Sequence, residues 1–303
     1  MGNKLKQAAQ SLLIAVLIFS LGTMLAGLMG KCHYLLDLAS HMRVQATIAV
    51  LVSGLGLWLL GRKHIGVIGL VCGLALALSL TPFYWPTAPV LGNTYRLMTA
   101  NVLTRNPEKR AVLQWIAEAD PDFVVLQETD ESWTSAMKLG LRDRYPYHRV
   151  VPREDNFGIA MFSKHPWLSC DVVTFSSETN IPSIDADFEL PDGNVLHLIA
   201  THPLPPMRVS TWADRNRSFA GIAKEVNQRG NRRVIVAGDL NCTPWSYWFR
   251  LLLDESGLRD SSLGQGLQST WSPRAMPVPG LMIDHVLVGS EIEVADRFVG
   301  PAI

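Results

Sequence analysis

The hydrophobic pattern divides the chain into two unlike parts. Three apolar stretches come first: Ser11–Gly30, twenty residues without a charge; Val44–Leu60, seventeen; and Ile65–Leu80, sixteen, extendable through Phe83 to Trp85. None shows the polar face of a helix that lies on a soluble core. A helix crosses the hydrocarbon core with about 20 apolar residues, in a range of roughly 17–25. The pattern therefore predicts three transmembrane helices. Lys4 and Lys6 ahead of the first stretch would also suit a signal peptide, but two more apolar stretches follow and no A-x-A cleavage signal is evident. Thr81-Pro82-Phe83-Tyr84-Trp85-Pro86 reads as the exit, with aromatic residues for the interface and prolines to stop the helix.

From Tyr95 onward the periods change. Arg96–Leu103, Asp122–Gln127, Asn156–Phe162, Asn194–Ala200, Arg233–Ala237, Ile283–Val288 and Glu291–Val299 read as strands. Pro107–Ala119, Val209–Gln228 and Trp245–Glu255 carry helical spacing, and Pro107 suits a first turn. The mixture lacks a strict βαβ rhythm. It predicts an α/β domain of two packed β-sheets flanked by helices, residues 87–303, behind an anchor of residues 1–86.

Charge sharpens this division. Residues 1–80 hold six Lys/Arg and one acid, Asp37, which leaves 21 basic against 26 acidic residues beyond, a net of −5. A protein that grips nucleic acid by its phosphates shows a basic footprint, so nucleic acid is the less favoured partner. Basic residues in the short loops, Lys4, Lys6, Arg62 and Lys63 against Lys31 and Arg43, place the N-terminus inside and everything past Pro82 outside. Cys32, Cys72, Cys170 and Cys242 form no C-x-x-C pair and no zinc spacing. Unpaired small side chains are the simplest reading, with a Cys170–Cys242 bridge left open for an oxidising compartment.

Candidate chemistry sits where apolar strands end. Asn101, Glu128, His202, Asp239 and Asn241 each close a hydrophobic run. Singly, each has an ordinary explanation as a turn former, a cap or a solvated side chain. Five in the same position are harder to explain that way.

The ordered set T-A-N-V-L (99–103), L-Q-E-T (126–129), G-I-A-M-F-S-K (158–164), T-H-P-L-P-P (201–206) and G-D-L-N (238–241) resembles the endonuclease/exonuclease/phosphatase superfamily, which is deoxyribonuclease-I-like. With three helices and an H-x-x-P-P loop, the chain is similar to its membrane-anchored bacterial members, some of them linked to teicoplanin resistance. The resemblance implies a Mg²⁺ or Mn²⁺ ion held by Glu128, with Asn101 beside it. It also implies that Asp239 orients or deprotonates the attacking water, that Asn241 bonds a phosphate oxygen, and that His202 contacts the phosphate and is a candidate to protonate the leaving oxygen. A hard cation of this kind keeps several waters, so few protein ligands suffice.

One departure matters. The family closes on an Ile-Asp-Tyr or Ile-Asp-His strand, followed later by Ser-Asp-His. Ile283-Asp284-His285 fits the first signal, with Thr270-Trp271 ahead of it, and no Ser-Asp-His follows before Ile303. Either Asp284 and His285 are themselves the catalytic pair, or Asp284 is the orienting carboxylate and His285 points elsewhere. Neighbours on a strand face opposite sides, which favours the second reading and an expectation of a chain truncated after Ile303.

Three functions are compatible with the residues. The first is an extracytoplasmic phosphoesterase at the bacterial cytoplasmic membrane, acting on a phosphorylated and lipid-linked substrate such as a polyprenyl pyrophosphate, with the bilayer as partner through residues 11–85. The second is a metal-dependent endonuclease or exonuclease. The third is a non-catalytic member. Substrate contacts are expected in Gly140–Asp155, Thr174–Asp185 and Pro205–Arg217. There Arg208, Trp212 and Arg215 are candidates for a lipid phosphate or a nucleotide, while Arg217 reads as surface. The oligomeric state is open.

Overall fold

The computed structural model describes residues 2–86, 90, 94–191, 193–272 and 279–301. The expected domain boundary after residue 86 adjoins residues 87–89, which lie outside the described set.

The N-terminal part is four helices: α1 (Gly2–Leu28), α2 (Tyr34–Ser40), α3 (Arg43–Leu59) and α4 (Lys63–Leu78), closed by a 3₁₀ turn at Thr81–Tyr84. α3 packs against both α1 and α4. Glycine sets the closest approach, since a Cβ on Gly66 would lie 2.6 Å from the Trp58 nitrogen. The outer surface is apolar, with Leu12, Ile18, Phe19, Leu25, Leu59, Val71 and Leu78 all exposed. Glycines at the closest contacts, a small core of Leu17, Val50 and Leu57, and an apolar exterior together are compatible with packing in lipid. All three apolar stretches form helices, but among the described residues only α1 is long and apolar enough to span by itself. α2 and α3 reach that length only as a pair bent by 62°, and α4 is shorter. The expectation of three spanning helices is thus met by one unaided helix, because charged turns at Arg43 and Arg62-Lys63 cut the other two short.

The domain that follows runs β1 (Leu97–Asn101), α5 (Lys109–Ala119), β2 (Phe123–Gln127), α6 (Glu131–Gly140), β3 (Tyr147–Val151), β4 (Ile159–Ser163), β5 (Trp167–Val173), β6 (Ser183–Glu189), β7 (Val195–Ala200), α7 (Val209–Gln228), β8 (Val234–Asp239), α8 (Tyr247–Ser256), β9 (Arg259–Asp260) and β10 (Asp284–Val288). The strands form a four-stranded sheet, β1-β2-β4-β3, and a six-stranded sheet, β5-β6-β7-β8-β10-β9. β1 and β2 are parallel, as are β7 and β8.

Alternation along each strand builds three layers. On β2, Phe123 and Val125 point into the core between the sheets, where Ile184, Leu198, Ile235 and Ala237 meet them. Val124 and Leu126 point outward beneath α5 and α6, against Ile116 and Trp133. On β8, Val234 and Val236 face α7 and α8, against Phe219 and Phe249. The period of two thus delivers one face of each strand to each core.

Six elements lie outside the sequence-based expectations, α2, α6, β3, β5, β6 and β9. β3 and β5 are edge strands with exposed positions. β6 carries Asp185 and Asp187 on one face, where Arg229, the C-cap of α7, binds both. α6 is capped by Asp130, which accepts from the Trp133 amide. Conversely, residues 291–299 form no strand. The expected substrate loops are also partly regular: β3 lies within residues 140–155 and α7 begins at Val209. All four cysteines are free, and Cys170 and Cys242 sit in different cores, which leaves no bridge between them.

Candidate active site

Topology brings the flagged residues to one rim. The parallel pairs β1–β2 and β7–β8 end on the same side of the two sheets, delivering Asn101, Glu128, His202 and Asp239. β10 runs antiparallel to β8, so it begins where β8 ends, with Asp284 in register opposite Asp239. Gly238 allows β8 to come in this close, since a Cβ there would overlap the Thr201 carbonyl oxygen.

Asn101 holds the cluster together. Its amide nitrogen donates to Glu128 Oε1 at 2.8 Å and to Asp239 Oδ2 at 3.0 Å. Its oxygen accepts from the Leu103 amide at 3.1 Å. In this arrangement the Asn101 amide nitrogen bridges two carboxylates while its oxygen accepts from the backbone. Asp239 also accepts from the Asn241 amide at 2.9 Å, and Asn241 donates its side chain to the Pro203 carbonyl at 3.0 Å. Glu128 and Asn241 both take left-handed backbone conformations, with φ of 62° and 49°. Non-glycine residues keep such geometry only where their surroundings impose it, and functional sites are where it collects.

The electrostatics follow from burial. His202 Nε2 lies 3.8 Å from Asp239 Oδ2, with side chains 4% and 6% exposed. Burial lowers the His202 imidazole to about 4, against the opposing pull of Glu128 and Asp284. It is therefore neutral at pH 7, suited to hydrogen bonding more than to giving up a proton. Burial raises Asp239 to about 6, opposed by the bonds from Asn101 and Asn241. Burial, then the neighbouring Asp239, raises Asp284 to about 7.

This set fits a divalent cation. Glu128 Oε2 and Asp284 Oδ1 are buried with no hydrogen-bond partner, and among the described residues no lysine or arginine is bonded to any of the three carboxyl groups that share the rim, His202 being the one imidazole beside them. Among the described residues there is no closed cage of three or more His, Cys, Asp or Glu ligands. The fit is to a hydrated hard ion held at few points.

Asp284 and His285 part company as alternation requires. The Asp284 amide donates to Thr270 Oγ1 at 3.1 Å, and Arg297 donates to its carbonyl at 3.2 Å. His285 turns into the outer core, with Nε2 donating to the Cys242 carbonyl at 2.8 Å and its ring on Phe249. It lies among structural partners and away from the rim. Of the proposed substrate contacts, Arg215 is fully buried against Asp37 and unavailable to a substrate. Trp212 packs edge-on against Trp248. Arg208 is exposed at the start of α7, and Arg217 pairs with Glu178 at the surface. Sequence reasoning misses Arg297, whose segment reads as a strand, and the reach of Asp37, whose isolation among apolar residues is the available signal.

The sequence signature of the Endonuclease/Exonuclease/phosphatase family matches residues 98–303. No curated protein sequence matches the chain. Solved structures share the fold. A beta toxin from Staphylococcus aureus, as a beta-hairpin deletion mutant, aligns with TM-score 0.54 at 18% identity, over 69% of this chain and 91% of the toxin. Another form of that toxin carries bound magnesium ions. Sphingomyelinase C from Streptomyces griseocarneus aligns with TM-score 0.51 at 21% identity, over 65% and 84%. The human Nocturnin catalytic domain aligns with TM-score 0.52 at 18% identity, over 64% and 82%.

Proposed function

Because the chain belongs to the endonuclease/exonuclease/phosphatase family, we propose that it is a metal-dependent hydrolase of phosphate esters or pyrophosphates working at a membrane surface. The observation that carries this is the convergence of Asn101, Glu128, His202, Asp239, Asn241 and Asp284 on one rim, with buried carboxylate oxygens that have no partner. Glu128 and Asp284 would hold Mg²⁺ or Mn²⁺, which supplies charge neutralisation at the phosphoryl oxygens when bound. Asp239, pinned at both oxygens by Asn101 and Asn241, is positioned to accept a proton from the attacking water. Neutral His202 and the Asn241 amide group are donors for phosphoryl oxygens, whose charge grows in the transition state.

The anchor favours a lipid-linked substrate such as a polyprenyl pyrophosphate. Four helices with an apolar exterior precede the domain, and the exit turn packs its Phe83 against Trp245, just past the G-D-L-N segment. A site held at the bilayer meets a headgroup at high effective concentration. The loop charges favour a domain outside the bacterial cytoplasmic membrane, with α1 as the one described helix long and apolar enough to span unaided. The test is a panel of substrates with the full chain in detergent and Mg²⁺: undecaprenyl pyrophosphate, sphingomyelin, inositol phosphates and plasmid DNA. Phosphate release from the lipid, lost in Glu128→Gln, is expected. Cleavage of DNA with the lipids untouched would overturn it.

A further inference from the structure

We infer that α2 is a working part of the active site, with Asp37 and Arg215 acting as positioning residues for Asn241. This rests on the hydrolase reading above. Asp37 is the sole acid in the first 80 residues, and acids in apolar regions are costly and seldom idle. Here it is fully buried, as is Arg215, and Arg215 Nη2 reaches Asp37 Oδ2 at 2.5 Å. Ser246 Oγ donates to the other oxygen at 2.6 Å. The same guanidinium donates to the Asn241 backbone carbonyl at 3.4 Å and, through Nε and Nη2, to Asn216. One turn further along α2's axis, His41 Nδ1 accepts from the Thr243 amide at 3.3 Å and lies 2.8 Å from its hydroxyl.

Residues 241, 243 and 246 are therefore held, directly or through Arg215, by a segment that lies some 200 residues earlier in the chain. Asn241 is the residue that needs holding. Its backbone is left-handed, its amide fixes Asp239 and its side chain fixes the loop after His202. A buried ion pair is a poor source of stability, since apolar replacements of both partners are often neutral or better. What it does supply is a directed contact on one carbonyl. α2 thus couples the seating of the anchor to the geometry of the phosphate-contacting strand end.

The test uses the full chain with Mg²⁺ and bis(p-nitrophenyl) phosphate, a soluble diester that needs no membrane. Two variants separate packing from positioning: Asp37→Asn, and the double replacement Asp37→Leu with Arg215→Met. Asp37→Asn should lower kcat by about tenfold or more, as loss of a supporting contact does, while KM stays within about twofold. The double variant should melt as high as the parent yet remain low in kcat. Amide hydrogen exchange over residues 240–246 should speed up in both. Full kcat with unchanged exchange in either folded variant would overturn the inference. A parent that hydrolyses no phosphate ester would overturn the proposed function instead, and the exchange measurement would still decide the clamp.

Discussion

Asp284 stands directly across the β8–β10 ladder from Asp239, in register, at the rim where the two sheets meet. Side chains so paired are within about 5.5 Å of each other at Cβ, and like charges there repel. Asp239 is buried and Asp284 half-buried with its Oδ1 sealed from solvent, and both carboxyls are raised above the ordinary aspartate range. The pair stores a repulsion that a cation would relieve.

Replacing one member should show this. Asp284→Asn removes the like charge while keeping the shape, so the chain without divalent cation should melt higher than the parent at pH 8. Hydrolysis should fall by about 10²–10³, the scale on which oriented charge at a reacting phosphate counts. Calorimetry with EDTA and rates with Mg²⁺ check both halves. A lower melting point in EDTA would contradict the repulsion.

The pH dependence follows with a definite sign. Asp239 and Asp284 move from 3.8 to about 6 and about 7 on folding. Their contribution to stability is full below about pH 4 and is lost as pH rises through those values. His202 moves from 6.5 down to about 4, so its penalty on folding in acid fades as pH rises to 6.5. It offsets one aspartate in that range, and above it only Asp284 still titrates. Melting temperature in EDTA should therefore decline from pH 5 to 7.5. Saturating Mg²⁺ should flatten the decline, because the cation takes the place of the protons. A metal-free melting point that climbs across this range would refute the account.

The two histidines should separate cleanly. His285→Ala removes the donor to the Cys242 carbonyl and the contact with Phe249, which should cost about 2–4 kcal/mol of stability. It should leave the shape of the pH–rate profile unchanged. His202→Ala should instead lower kcat by about 10²-fold or more. Denaturant titration and pH–rate profiles distinguish them, and an altered profile in His285→Ala would make that residue catalytic.

Cys32 gives a natural probe of orientation. It is exposed in the turn between α1 and α2, whereas Cys170 and Cys242 are buried. An impermeant maleimide added to intact cells should label Cys32 from outside. Labelling only after the membrane is opened would reverse the topology.

Legibility tracked burial. β2, β4 and β8 are buried at every position, so they read as unbroken apolar runs. β6 was hidden by Asp185 and Asp187, whose partner Arg229 is 44 and 42 residues away. Residues 291–299 alternate like a strand but are irregular, with Phe298 exposed and Arg297 reaching back to Asp284. Site residues were legible because each follows a hydrophobic run. The role of Arg215 was not, since its partner Asp37 is 178 residues away.

Order along the chain by itself determined which strand ends carry polar groups, that the first 80 residues are apolar, and that Asp284 and His285 face opposite ways, because these depend on local period and composition. The tertiary structure alone decided that Asn101 bridges two carboxylates, that His285 belongs to a core, and that an acid among apolar helices holds the G-D-L-N loop. Those facts depend on which distant elements pack together, and pairwise distances between remote residues are set by the whole fold rather than by any window of the chain.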